Sequence, residues 1–168
     1  MKLLRETIRK LIQESISNSD NPNMKMLQDM TTSGSWQLIS SGADQFPRGT
    51  QAVFNWIAVD DCAYEINLSA DYDDIIFINT IEAVHDMGDD YNDMCEGQGY
   101  GSDMMYELMD FADNRDVQLS LVADAFHQSD DDRRPDTDAL TAWYKRLGFV
   151  DSPQGNGSMV YNYVHRRL

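Results

Sequence analysis

Leu4, Ile8, Leu11 and Ile12 recur at helical spacing, with Lys2, Arg5, Arg9 and Lys10 filling most of the other face. This spacing predicts an amphipathic helix from residue 2 to about 17. Ser17-Asn18-Ser19-Asp20-Asn21-Pro22-Asn23 reads as a breaker, and Met24 to Met30 as a short second helix before the loop Thr31-Thr32-Ser33-Gly34-Ser35. From Trp36 the period shortens to two. Strands are expected at Trp36–Ser40, Val53–Val59, Ala63–Ala70 and Ile75–Val84, and the tight Asp60-Asp61 and Asp71–Asp74 turns make the last three an antiparallel meander.

A polar, acidic loop from His85 to Cys95 follows, then a glycine turn and a helix to about Asn114 carrying Met105, Leu108, Met109 and Ala112. A strand at Val117–Ala125, an acidic connection at His127–Asp136, a helix ending at Gly148 and a closing strand at Met159–Val164 complete the chain. Strand, crossover helix and strand predict a parallel pair with a topological switch beside it. The order of elements argues for a mixed α/β domain. Residues 1–34 form an N-terminal amphipathic helix and linker, and 35–168 the main domain.

At 168 residues and 42% hydrophobic content the chain fits one domain with a sizeable core. Its longest apolar runs, such as Ile75-Ile76-Phe77-Ile78, fall far short of the roughly 20 residues that cross a bilayer as a helix, and its charged N-terminus lacks the apolar core of a secretory signal. No membrane partner and a cytoplasmic location are expected. Cys62 and Cys95 are the two cysteines; without a signal peptide they read as reduced thiols, with a disulfide as the alternative. The formal charge of −16 disfavours nucleic acid. It marks either a solvated acidic surface or attraction for cationic partners.

The candidate chemistry centres on Glu96-Gly97-Gln98-Gly99-Tyr100-Gly101-Ser102, which opens a helix. Glycines leave backbone N–H groups uncovered at a helix start, so this is either a phosphate cradle or a plain turn. Asp86, Asp89, Asp90, Asn92, Asp93 and Glu96 lack the spacing of a calcium loop, as does Asp130-Asp131-Asp132. His127 and His165 have no Cys or His at ligand spacing, so no metal site is assigned. Ser102 starts the helix and has no triad partners.

The second landmark is Trp143-Tyr144-Lys145-Arg146-Leu147-Gly148-Phe149, at the end of a helix. With the glycine turn, it resembles the GNAT superfamily of N-acetyltransferases over roughly residues 50 to 164. That resemblance implies a mixed, mostly antiparallel sheet with a splayed parallel pair, flanked by helices. It implies acetyl-CoA as cosubstrate and direct attack by a primary amine in a ternary complex. The pyrophosphate would lie on Gly97, Gln98, Gly99, Tyr100, Gly101 and Ser102, and the pantetheine arm on backbone near Ile81 and Ala83. Tyr144 matches the family's general acid; its other reading is an aromatic that packs the helix onto the sheet. Glu82 is the base by analogy, with His85 as alternative, and either also reads as an ordinary solvated residue.

Glu96 stands where the family prefers Arg or Gln, and a carboxylate beside a pyrophosphate costs affinity. The loop His85–Cys95 is longer than the family's, Thr137 replaces a frequent Asn, and no strand precedes the first two helices. The alternative function is therefore a non-catalytic GNAT-like binding or virion-associated protein. Residues 1–14 resemble the basic leaders of tailed-bacteriophage proteins, and Ile12-Gln13-Glu14 is similar to a prohead-protease site; an ordinary first helix is the other reading. A bacteriophage origin would mean the host cytoplasm or the virion.

Overall fold

The computed structural model describes residues 21–43, 50–58, 62–70, 74–84, 97–124 and 136–162. The amphipathic helix at 2–17, the Asp60-Asp61 turn, most of the Asp71–Asp74 turn, the loop His85–Cys95, Glu96, His127, Asp130-Asp131-Asp132 and His165 lie outside them.

Helix α1 spans Pro22–Thr32. Pro22 presets the first turn and Asn21 caps it, its side chain accepting from the N–H of Asn23 at 2.8 Å and of Met24 at 3.4 Å. The helix runs two residues past the expected Met30, where the Thr31 and Thr32 hydroxyls donate to carbonyls of Gln28 and Asp29. Asn23, Met26, Leu27 and Met30 form its buried stripe. Asn23 Nδ2 also donates to the Ile75 carbonyl at 3.0 Å and fixes the helix start on the sheet.

The strands are β1 (Trp36–Ala43), β2 (Thr50–Ile57), β3 (Ala63–Ala70), β4 (Ile75–Ala83), β5 (Gln118–Val122), β6 (Val150–Asp151) and β7 (Ser158–Tyr161). They form one sheet in the order β1-β2-β3-β4-β5-β7-β6. Every neighbouring pair is antiparallel except β4 with β5, so the protein is a mixed α/β fold with one parallel pair. The expected three-stranded meander is extended by β1, a full partner of β2. β5 stops at Val122, short of Ala125, and the two-residue β6 carries no period for a sequence to show.

Helix α2 spans Tyr100–Arg115 and crosses from β4 to β5; α3 spans Thr137–Leu147. Asp136 caps α3 by accepting from the Ala139 N–H at 2.7 Å, and Gly148 ends it at φ 107°.

The core lies between one sheet face and the first two helices. Met26, Leu27 and Met30 of α1 and Met104, Met105, Leu108, Met109 and Ala112 of α2 meet Trp36, Phe54, Ile66, Leu68 and Ile76. Methionine supplies much of the contact, and its unbranched thioether fills the uneven gap between crossed helices and a twisted sheet. Arg115 closes the far end, donating from Nε to Asp29 Oδ2 at 2.6 Å and from Nη2 to Oδ1 at 3.0 Å. This bidentate pair, which raises the Arg115 guanidinium further, links α2 to α1.

Cys62 is disulfide-bonded, which corrects the expectation of reduced thiols. A disulfide needs Cα atoms about 4–7 Å apart, a proximity made by the fold and invisible in spacing along the chain.

Candidate functional site

The register of β4 is broken once. Asn67 faces Thr80 and the next residue, Leu68, faces Ile78, so Asn79 is an extra residue. Its side chain leans on β3, donating to Asn67 Oδ1 at 3.2 Å and to Ser69 Oγ at 3.1 Å. The bulge changes the parity of the strand. Before it, Ile76 and Ile78 face the helices; after it, Ile81 and Ala83 do, and Glu82 faces away.

The same point ends the parallel pairing. β4 and β5 align at Ile75, Ile76, Phe77 and Ile78, the last opposite Leu121, while β4 continues to Ala83. β5 itself ends one residue past this point, at Val122, so β4 outruns it. Beyond the bulge β4 is hydrogen-bonded on its β3 side, where the Val84 N–H donates to the Ala63 carbonyl at 2.9 Å. Successive residues of a strand point their backbone groups to opposite sides. Glu82 therefore shares the β3 direction of Val84, and the N–H and C=O groups of Ile81 and Ala83 point to the opposite side of β4, beyond the end of β5 at Val122. The structure thus places the backbone groups of Ile81 and Ala83, the two residues named for the pantetheine arm, on the side of β4 away from β3.

The glycine turn sits at this end. Gly97 and Gly99 take φ of 72° and 86°, which L side chains rarely adopt, and among the described residues nothing lies within 4 Å of a Cβ built on either. Gly99 is the N-cap of α2 and provides no side-chain cap. Its carbonyl accepts from Ser102 N–H at 2.8 Å and Asp103 N–H at 3.1 Å. The Gly101 N–H has no protein acceptor among the described residues, and the helix dipole adds positive potential there. This arrangement fits a phosphate group.

Gly101 is different. It has ordinary helical backbone, and a Cβ on it would stand 3.8 Å from Tyr64 Cε1 and 3.9 Å from Trp143 Cζ2. Tyr64 is the register partner of Ala83, so this contact sets the helix start beside the open end of β4. Trp143 Nε1 donates to Ser102 Oγ at 3.0 Å and brings α3 to the same point. The sequence pattern included Trp143 without giving it a role and left Tyr64 out. Tyr64 was visible only as an apolar-phase strand residue; its meeting with Gly101 depends on the crossover.

Tyr144 is 8% exposed and lies in an aromatic chain, its ring centroid 4.7 Å from that of Trp143 and 5.6 Å from that of Phe149, which in turn packs on Tyr161. Burial pushes its phenol up to about 12. The group is thus neutral and holds its proton firmly; giving it to a thiolate, near 8.5 for a free thiol, is uphill by roughly 3.5 units. In this state Tyr144 is a hydrogen-bond donor first and an acid second.

Glu82 is exposed, on the sheet face away from α2, with Glu65 as its register partner. Asn55 faces Glu65 from β2, and its Oδ1 is buried without a donor. The two carboxylates give the row its acceptors, and the Asn55 Nδ2 is its donor. Across the sheet, Trp56 Nε1 donates to Glu107 Oε2 at 2.7 Å and ties β2 to the middle of α2. Among the described residues no group of three or more His, Cys, Asp or Glu side chains is placed to hold a metal ion, and no helix is long and apolar enough to cross a membrane. His85 and Glu96 lie outside the described residues.

Fold and site together define a mixed α/β protein whose described strands form one sheet with a single parallel pair, beside a glycine-rich helix start. No protein-family model matches the chain, and no curated protein matches it.

Proposed function

We propose that the chain is an N-acetyltransferase of GNAT-like fold that transfers an acetyl group from acetyl-CoA to a primary amine. The observation that carries this reading is the bulge at Asn79, past which β4 outruns β5 and the backbone groups of Ile81 and Ala83 point away from β3. The start of α2, whose N-cap Gly99 has no side chain to cap it, stands at that same end, where Tyr64 lies beside Gly101.

In this reading the N–H groups at the α2 start hold the pyrophosphate, and Ile81 and Ala83 pair with the amide-bearing arm as a further strand would. A thioester is already activated, so the protein contributes chiefly position and charge stabilisation. The amine attacks the acyl carbon directly, and the departing sulfur takes a hydrogen bond from a neutral donor, for which Tyr144 is the candidate. Glu82 is the candidate acceptor of the amine proton, and the paired carboxylates of Glu65 and Glu82 suit a cationic acceptor.

The test is a titration of acetyl-CoA into the protein by calorimetry, followed by an assay of thiol release with polyamines, aminoglycosides and lysine peptides. Saturable binding and amine-dependent release are expected. No binding at millimolar acetyl-CoA would sink the reading.

The second reading is a non-catalytic GNAT-like module. Glu96 favours it, because a carboxylate next to the glycine turn opposes an anionic ligand. Binding of acetyl-CoA without turnover of any amine would select it.

A further inference from the structure

Gly155, Asn156 and Gly157 take φ of 73°, 64° and 71° in the hairpin that joins β6 to β7. The Gly155 carbonyl accepts from the Ser158 N–H at 3.4 Å, so Asn156 and Gly157 are the central residues of a turn with both φ positive, the mark of type I′. Asparagine is among the few residues with a Cβ that tolerate this backbone, which accounts for its place between two glycines. The turn thereby selects the pair Asn-Gly, and that pair carries its own chemistry.

An asparagine side chain is attacked when the backbone nitrogen of the next residue reaches its amide carbon. Gly157 has no Cβ to shield that nitrogen, and among the described residues nothing lies within 4 Å of where one would stand. The Gly157 N–H and the Asn156 side-chain amide also meet no hydrogen-bond partner among the described residues. Both residues are exposed to water, the other reactant. Every other asparagine of the chain is followed by a residue with a Cβ, and Asn21 by Pro22, which has no N–H.

We propose that Asn156 is a self-modification site, which converts through a cyclic imide with Gly157 to aspartyl and isoaspartyl forms, and that the isoaspartyl form loosens the start of β7. The Gly157 nitrogen gives its proton to solvent and bonds to Asn156 Cγ; the bond from Cγ to Nδ2 breaks, and Nδ2 takes up a proton and leaves as ammonia. Water then opens the ring. Opening at the side-chain carbonyl gives aspartate, and opening at the main-chain carbonyl routes the chain through Cβ and Cγ, so that water enters, ammonia leaves and no electrons are exchanged. The rerouted chain is longer by the Cβ methylene inside a turn closed by the Ser158 N–H and by Ser158 Oγ, which donates to the Gly155 carbonyl at 2.8 Å. Behind it β7 carries Met159 and Tyr161 into the core, where Tyr161 packs on Phe149.

The test ages the full-length protein in mildly alkaline buffer beside Asn156→Gly, which accepts the same backbone but cannot react, and Asn156→Asp, which carries the carboxylate on an ordinary main chain. Peptide mapping reads the mass gain of an amide-to-acid exchange, methyl transfer by an isoaspartyl carboxyl methyltransferase reads the rerouted form, and amide exchange is followed at residues 158–161. The expected result is conversion at Asn156 before any other asparagine changes, methyl labelling of that peptide alone, and faster exchange at 158–161 in the labelled fraction, while both variants keep the exchange of fresh protein. An intact Asn156 in aged folded protein, when urea-unfolded protein converts, would overturn the site. Conversion with unaltered exchange at 158–161 would overturn the loosening of β7.

Discussion

The indole N–H of Trp143 donates to the hydroxyl oxygen of Ser102 at 3.0 Å, joining the middle of α3 to the first turn of α2. Ser102 thereby receives a donor and keeps its own proton free for an acceptor beyond the helix start. Replacing Trp143 with Phe removes this bond and keeps much of the packing. A net hydrogen bond is worth about 1 kcal/mol, so acetyl-CoA affinity should fall by about fivefold with a small loss of stability. Calorimetry and thermal unfolding, run together, check both.

Gly99 and Gly101 should respond differently to alanine. Gly99→Ala forces a left-handed backbone on an L residue and should cost about 1–2 kcal/mol of stability. Gly101→Ala meets only ordinary contacts and gains helix propensity, so stability should hold or rise by up to about 1 kcal/mol. Its methyl group nevertheless crowds the helix start, and acetyl-CoA affinity should drop. Affinity unchanged in Gly101→Ala would argue against ligand approach at that residue.

The Tyr144 phenol gives a pH signature. Its folded value is raised by burial to about 12 against an ordinary value of 10.0, so the charged form is disfavoured in the folded state. The full stability is present below pH 10 and is lost as pH rises towards 12, where the unfolded chain ionises first; the integrated loss is about 2–3 kcal/mol. Urea unfolding at a series of alkaline pH values should show this slope, and Tyr144→Phe should flatten it. If Tyr144 also serves the leaving sulfur, the same variant should lower kcat by at least tenfold with little change in acetyl-CoA affinity.

Glu107 accepts from the buried indole of Trp56 at 2.7 Å. Glu107→Ala would strand that N–H and should cost about 1–3 kcal/mol, measured as a shift in the urea midpoint with an unchanged m-value. Glu107→Gln keeps an acceptor and should recover most of the loss.

Much of the fold is legible in the sequence because it follows from local rules. The alternation of Ala63–Ala70, the Gly148 stop of α3 and the helix after the glycine turn all come from residue types and spacings that act where they stand. The glycine turn was legible for the same reason, since only glycine accepts the φ of Gly97 and Gly99 at no steric cost. The apolar phase of β4 also held a clue: Ile76 and Ile78 are even-numbered, Ile81 is odd, and one extra residue between them reconciles the two.

Tertiary structure decided the rest. Whether that extra residue becomes a bulge at Asn79 depends on β3 supplying Asn67 and Ser69 to hold it. The parallel pairing of β4 with β5, the approach of Tyr64 to Gly101 and the Trp143 bond to Ser102 join residues far apart in the chain. Periodicity and residue type record how each segment treats water and its own backbone. Which segments then stand side by side is set by the packing of the whole chain around one core.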